Sequence, residues 1–207
     1  MTVALSTRLR DETKGAHTRA ERSGIMRALL SGKLPLDGYT ALLLNLHLVY
    51  VALEQELATH ASDPAVAAIN DPALNRVAAL ESDLRTINGD GWASRPGMVD
   101  AGRAYAARIE AAASEPALLV AHSYTRYLGD LSGGQILKRF ALKLLPPEQQ
   151  SATAFYTFPD IADAEAYKHR YREALDGLPV DGAGADRIVA EALAAFELNA
   201  QLFEALG

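Results

Sequence analysis

The sequence predicts an all-α fold. Three observations lead there. Apolar residues recur at helical spacing along most of the chain, and alternating strand patterns are hard to find. Asp63-Pro64 and Asp71-Pro72 each pair a capping side chain with a proline at the first helical position. Between the periodic segments only short loops intervene, such as "NGDGW" (88–92) and "DGAGAD" (181–186). At 207 residues, with no internal repeat and no long linker, the chain reads as one domain, 1–207.

The helices follow in order at about 3–22, 37–60, 73–88, 97–113, 116–145, 160–177 and 184–205. The first carries Leu5 and Leu9 on one side, where they can pack on a core. The second holds the longest apolar run, "ALLLNLHLVYVAL" (41–53). A membrane span needs around 20 such residues, and this run contains Asn45 and His47. The third follows Asp71-Pro72 and stops at "NGDGW". Glu115-Pro116 and Pro146-Pro147 bound the fifth. No signal-peptide pattern opens the chain and no apolar tail closes it, so the expectation is a cytoplasmic protein without a membrane anchor.

Composition excludes several functions. A net charge of −6 argues against a general nucleic-acid binder. The absence of cysteine removes disulfides, Cys-zinc sites, thiolate haem ligands and any cysteine nucleophile. No histidine has Glu three residues before it, so the usual di-iron pattern fails. His-Glu-x-x-His, P-loop and G-x-S-x-G motifs are also missing. These negatives favour a bound cofactor.

Five histidines remain. On a helical wheel Arg10 lies within about 20° of His17, with Thr13, Lys14 and Glu21 near the same face. That face is either a solvated edge or a metal-ligating imidazole with Glu21 as its hydrogen-bond partner. His47 reads as a core or pocket-edge residue, His60 as a helix end, His122 as part of an apolar turn and His169 as surface.

The stretch "LGDLSGGQILKR" (128–139) raises a different question. Glycine costs roughly 1 kcal/mol against alanine inside a helix, yet Gly129, Gly133 and Gly134 interrupt one here. Gly129 and Gly133 stand one turn apart and open a groove. It serves either tight helix packing or a flat ligand on bare backbone. Arg126 and Asp130 are spaced to pair beside it.

"LLVAHSYTRYLGDLSGGQILKR" (118–139) closely resembles the distal-helix signature of the haem oxygenases. So do "ETKGAHTRAE" (12–21), "VYVALEQEL" (49–57), "FPDIADAEAYKHRYR" (158–172) and "AFELNAQLFEALG" (195–207), in the family's order and spacing. The resemblance implies a helical fold with haem between a proximal and a distal helix. His17 matches the proximal iron ligand and Glu21 its supporting carboxylate. Gly129, Gly133 and Asp130 match the distal positions. Tyr50, Arg126 and Asn199 match positions of the distal water network. Arg10, Lys14, Tyr124, Lys168 and Arg172 would meet the propionates. Met26 would touch the macrocycle, and Phe196 and Phe203 would line the pocket. Arg10 departs from the lysine of many relatives and keeps the charge with a different geometry.

The implied activity is oxidative cleavage of haem, both substrate and cofactor, to biliverdin (the IXα isomer by family default), carbon monoxide and ferrous iron. Asp130 would anchor water that protonates iron-bound dioxygen. The glycines would let backbone crowd that oxygen toward a meso carbon. With no flavin or nicotinamide motif, electrons would come from a ferredoxin, flavodoxin or reductase docking near the basic haem edge. The competing functions are a non-catalytic haem carrier, which would not need Asp130, and a thiaminase-like hydrolase, which the missing cysteine opposes.

Overall fold

A computed structural model describes residues 3–207; residues 1 and 2, which the predicted domain includes, lie outside the described residues. Among the described residues there are helices and turns and no strands. Ten α-helices among the described residues build the fold: α1 (Leu5–Glu21), α2 (Gly24–Leu30), α3 (Leu36–Thr59), α4 (Pro64–Ile69), α5 (Val77–Asn88), α6 (Asp100–Ala112), α7 (Leu119–Ser123), α8 (Gly129–Leu144), α9 (Ala164–Asp176) and α10 (Gly182–Ala205).

The core lies around α3 and α10. Helix α3 packs on α5 and α6, and α10 packs on α1, α6 and α7. By length and composition α3 is apolar enough to cross a membrane, but 61% of its most apolar window is buried inside the protein, which makes it the core helix. Along α10, Ile188, Ala192, Ala195, Asn199 and Leu202 recur every three or four residues and are buried. Helix α1 is mostly polar and buries the narrow stripe Leu5, Leu9, Thr13 and Ala20. It is pinned from outside by polar contacts: Ser6 to Asp176 on α9, Arg8 to Asp186 and Arg19 to Glu197 on α10.

The two Asp-Pro signals act as read. The Asp63 carboxylate accepts from Ala65 and Val66 N–H at 2.9 and 3.1 Å, and Asp71 accepts from Ala73 N–H at 2.9 Å. Three expectations are corrected. The 73–88 helix is a 3-10 turn at Pro72–Leu74 followed by α5. Its start is capped from another helix, because Glu54 on α3 accepts from the N–H groups of Arg76 and Val77. Helix α2 was not anticipated; it begins at Gly24 with φ +36°, pressed so closely under the Phe203 carbonyl that any Cβ would collide with it.

The third correction is the largest. The continuous 116–145 helix is a 3-10 turn at Pro116–Leu118, then α7, a π-helical turn at Tyr124–Leu128, then α8. The π-turn contains neither glycine nor proline. Its buried Arg126 is instead held by partners on α3 and α10, and such turns recur at functional sites.

Candidate active site

Helices α1 and α8 face each other across a slot made of two adjoining cavities. One, of about 400 Å³, reaches into the interior past Met26, Leu42, Leu46, Phe155 and Phe203. The other, of about 370 Å³, opens outward past Arg10, Lys14, Tyr124, Ser132 and Arg172. They share His17, Thr125, Gly129 and Phe196, so these four mark the junction. Each volume lies in the range of ligand pockets. The slot is therefore apolar at its inner end and cationic at its mouth.

His17 stands on the α1 wall, half-exposed. Its ring meets Phe196 of α10 edge-on, with centroids 5.5 Å apart. Glu21 Oε1 lies 3.6 Å from its Nε2, longer than a hydrogen bond, so the predicted partner is adjacent but not engaged.

The α8 wall answers the question about the glycines. A methyl group placed on Gly129 or Gly133 would meet no protein atom within 4 Å. Helix packing would put a neighbour there, so the packing explanation fails for this pair. Gly134 points elsewhere, and a methyl group on it would touch the Tyr156 ring at 3.7 Å. Two of the three glycines bare their backbone to the cavity, and the third packs.

Behind the glycines the polar residues converge. Asp130 accepts a hydrogen bond from the Tyr50 hydroxyl and faces Arg126 Nη2 at 3.4 Å. Arg126 also donates to Tyr50 Oη at 3.2 Å and to Asn199 Oδ1 at 2.7 Å. Asn199 donates onward to the Tyr105 hydroxyl at 3.3 Å. Burial raises the Asp130 carboxyl above its ordinary range, partly offset by Arg126 and the Tyr50 hydroxyl. Burial raises Tyr50 well above a normal phenol, which keeps it a neutral donor. Asp130, Arg126 and Asn199 line the inner cavity, whereas Tyr50 is fully buried behind them.

The mouth gathers Arg10, Lys14, Tyr124 and Arg172, with Arg10 turned onto Asp11 at 2.8 Å. Lys168 does not line it. That ammonium donates to Glu165 at 2.6 Å and to Ser132 at 3.4 Å, one residue behind the wall. His47 is also displaced from the pocket edge; it faces Glu81 and the edge of Trp92 on the far side of α3. His122 lies within α7, fully buried, and bonds Glu191 at 2.9 Å.

Several wall residues escaped sequence reasoning, Thr125, Phe155 and Tyr156 among them. Thr125 is buried, lines both cavities, and its hydroxyl has no partner. Its spacing of four from Gly129 was the available signal. Phe155 and Tyr156 form the back wall from an irregular segment that carried no signal.

This fold and slot define a class: an all-α protein with an open slot between two helices, an imidazole on one wall and bare backbone on the other. The family model "Heme oxygenase" matches residues 3–205. A protein named "Heme oxygenase 1" from Nostoc sp. is 46% identical over 207 residues, covering all of this chain and 87% of the relative. Another of that name, from Synechocystis sp., is 45% identical with 100% and 86% covered. A crystal structure of heme oxygenase-1 from Synechocystis sp. in complex with heme superposes with a TM-score of 0.92 at 44% identity, covering 99% of this chain and 92% of that one. The chain belongs to the haem oxygenase family, and so to the oxidoreductases.

Proposed function

We propose that residues 1–207 form one haem oxygenase domain that binds haem in the α1–α8 slot and cleaves it to biliverdin IXα, carbon monoxide and ferrous iron. The observation that carries this reading is the bare Gly129–Gly133 face opposite His17, with open space where side chains would stand. The residues fit the group. The apolar inner cavity suits the hydrocarbon edge of a porphyrin, and the cationic mouth suits its two carboxylates.

Bound haem supplies both the iron that reduces dioxygen and the ring carbon that is oxidised. The protein supplies seating and protons. His17 would hold the iron, and Glu21, one turn away, would support its ring. Arg10, Lys14, Tyr124 and Arg172 hold the carboxylates, with Lys168 reaching them through Ser132. Gly129 and Gly133 leave the α8 backbone bare on the slot, so a small ligand on that side would be confined against the helix. Asp130 is fixed by Tyr50 and Arg126, and its raised proton affinity suits a group that anchors water and relays protons into the slot. The electrons come from a separate donor, a ferredoxin, flavodoxin or reductase. A cytoplasmic enzyme accords with α3 serving as core rather than as a membrane span.

The test is single turnover in air with haem and a reductant. Loss of the Soret band with formation of biliverdin IXα supports the reading. Stable haem under those conditions marks a carrier and refutes it.

A further inference from the structure

The inner cavity ends on a segment that has little structure of its own. Residues Thr153–Thr157 make one 3-10 turn, and Thr153 gives that turn no side-chain cap. Beyond its own turn bonds, from Tyr156 N–H to Thr153 O and from Thr157 N–H to Ala154 O, the segment is held from outside. Asp83 on α5 accepts from Ala154 N–H at 2.8 Å with one carboxylate oxygen and from Phe155 N–H at 2.9 Å with the other. Arg76, just ahead of α5, donates to Thr157 O at 2.6 Å. Gln135 on α8 donates to Tyr156 O at 3.0 Å.

We propose that Asp83 is a positioning residue for haem cleavage: it clamps the Thr153–Thr157 strap, and the strap sets how far the ring slides and turns in the slot. This rests on the haem oxygenase reading above. The mouth charges hold one edge of the ring. On that reading the opposite edge would reach the strap's Phe155 and Tyr156, which line the other cavity, so its turning in the slot would be limited at both ends. The strap also braces the distal residues. The Phe155 ring stands edge-on to Tyr50, 5.8 Å between centroids, and Tyr50 holds Asp130. The Tyr156 ring lies under Gly134 on the distal helix.

The electrostatics support the assignment. Asp83 has no exposed surface, and burial raises its carboxyl to about 6 against the pull of the two strap N–H groups, Lys138 and Arg76. The other titratable groups facing it, Tyr39 and Tyr156, are raised by burial and stay neutral. A carboxyl raised in the fold binds protons more tightly folded than unfolded. Its contribution therefore falls as pH rises from about 4 to about 6 and stays low above that. At pH 8 the fold keeps an ionised carboxylate that disfavours it, and the return is a bidentate grip that a neutral amide cannot give. Asparagine has one acceptor for the two N–H groups.

Asp83→Asn separates positioning from stability. In the haem-free chain at pH 8, the expectation is an unchanged or raised Tm together with amide exchange at Ala154 or Phe155 faster by on the order of tenfold. In turnover, a mixture of biliverdin isomers or a lowered kcat is expected, with haem affinity retained. Unchanged exchange at both amides overturns the clamp, and an unchanged isomer ratio and kcat overturn its role in the reaction. Should the variant not fold, the wild-type chain decides: the Ala154 and Phe155 amide resonances should titrate with a midpoint near 6, and flat shifts refute the proposal. A chain that cleaves no haem at all fails the function proposed above, while the amide measurements still judge the clamp.

Discussion

Replacing Gly129 or Gly133 with alanine should make the empty protein more stable and the loaded protein less so. Gly129 has ordinary right-handed helical dihedrals, φ −61° and ψ −49°, and Gly133 lies inside α8, so alanine needs no backbone adjustment. The added methyl meets nothing within 4 Å. The helix-propensity gain, about 1 kcal/mol, is then uncompensated. For a chain of this length that raises Tm by roughly 2–4 °C. In the loaded protein the same methyl occupies space meant for the ring or for a ligand on its iron. Overpacking of this kind costs about 1–3 kcal/mol, or roughly 5- to 150-fold in haem affinity. Gly134→Ala is the control. Its methyl makes an ordinary contact with Tyr156 and points away from the slot, so it should stabilise without weakening haem. Calorimetry of the haem-free variants and Soret titration of each decide the matter. A Gly129→Ala protein that melts lower when empty, or binds haem as tightly as wild type, would falsify the assignment of this face.

Further outcomes follow from the site and its surroundings. His17→Ala should lose the histidine-ligated haem spectrum, and added imidazole should restore it; an unaltered spectrum removes His17 from the iron. Asp130→Ala should bind haem within a few-fold of wild type but lose at least about tenfold in single-turnover biliverdin, with peroxidase-like products instead; normal yield sinks the proton role. Glu191 predicts acid behaviour. Burial alone would raise it, but His122 and Arg108 draw it down to about 2. Its contribution is therefore present above the unfolded glutamate value and is lost as pH falls toward 2. Glu191→Gln should lower Tm at pH 7 and flatten the acid limb between pH 4.5 and 2. An unchanged melting curve refutes that account.

What could be read from the sequence was whatever each segment encodes within itself. Asp63-Pro64 and Asp71-Pro72 carry both the cap and the proline that it precedes, and both caps form as predicted. Leu5 and Leu9 announce the buried stripe of α1. The start of α5 was not legible, because its cap is Glu54, more than twenty positions away on α3. Nor was the π-turn, whose Arg126 is anchored by Tyr50 and Asn199 from distant parts of the chain. Phe155 and Tyr156 were missed for the same reason: their strap is ordered by Asp83, Arg76 and Gln135 and by little of its own.

The glycines show how sequence and structure divide the work. Three of them within six residues announce a backbone feature, and propensity says that it costs stability. Spacing alone leaves packing and ligand contact equally open, because both need a small residue once per turn. The deciding quantity is what stands opposite, and that is a property of other helices. Opposite Gly134 stands Tyr156; opposite Gly129 and Gly133 stands nothing. Protein interiors are close-packed, so an unfilled space beside two costly glycines, with an imidazole on its far wall, calls for an occupant from outside the chain. The alanine variants measure that space directly, since the same methyl group should be welcome when the slot is empty and excluded when it is full.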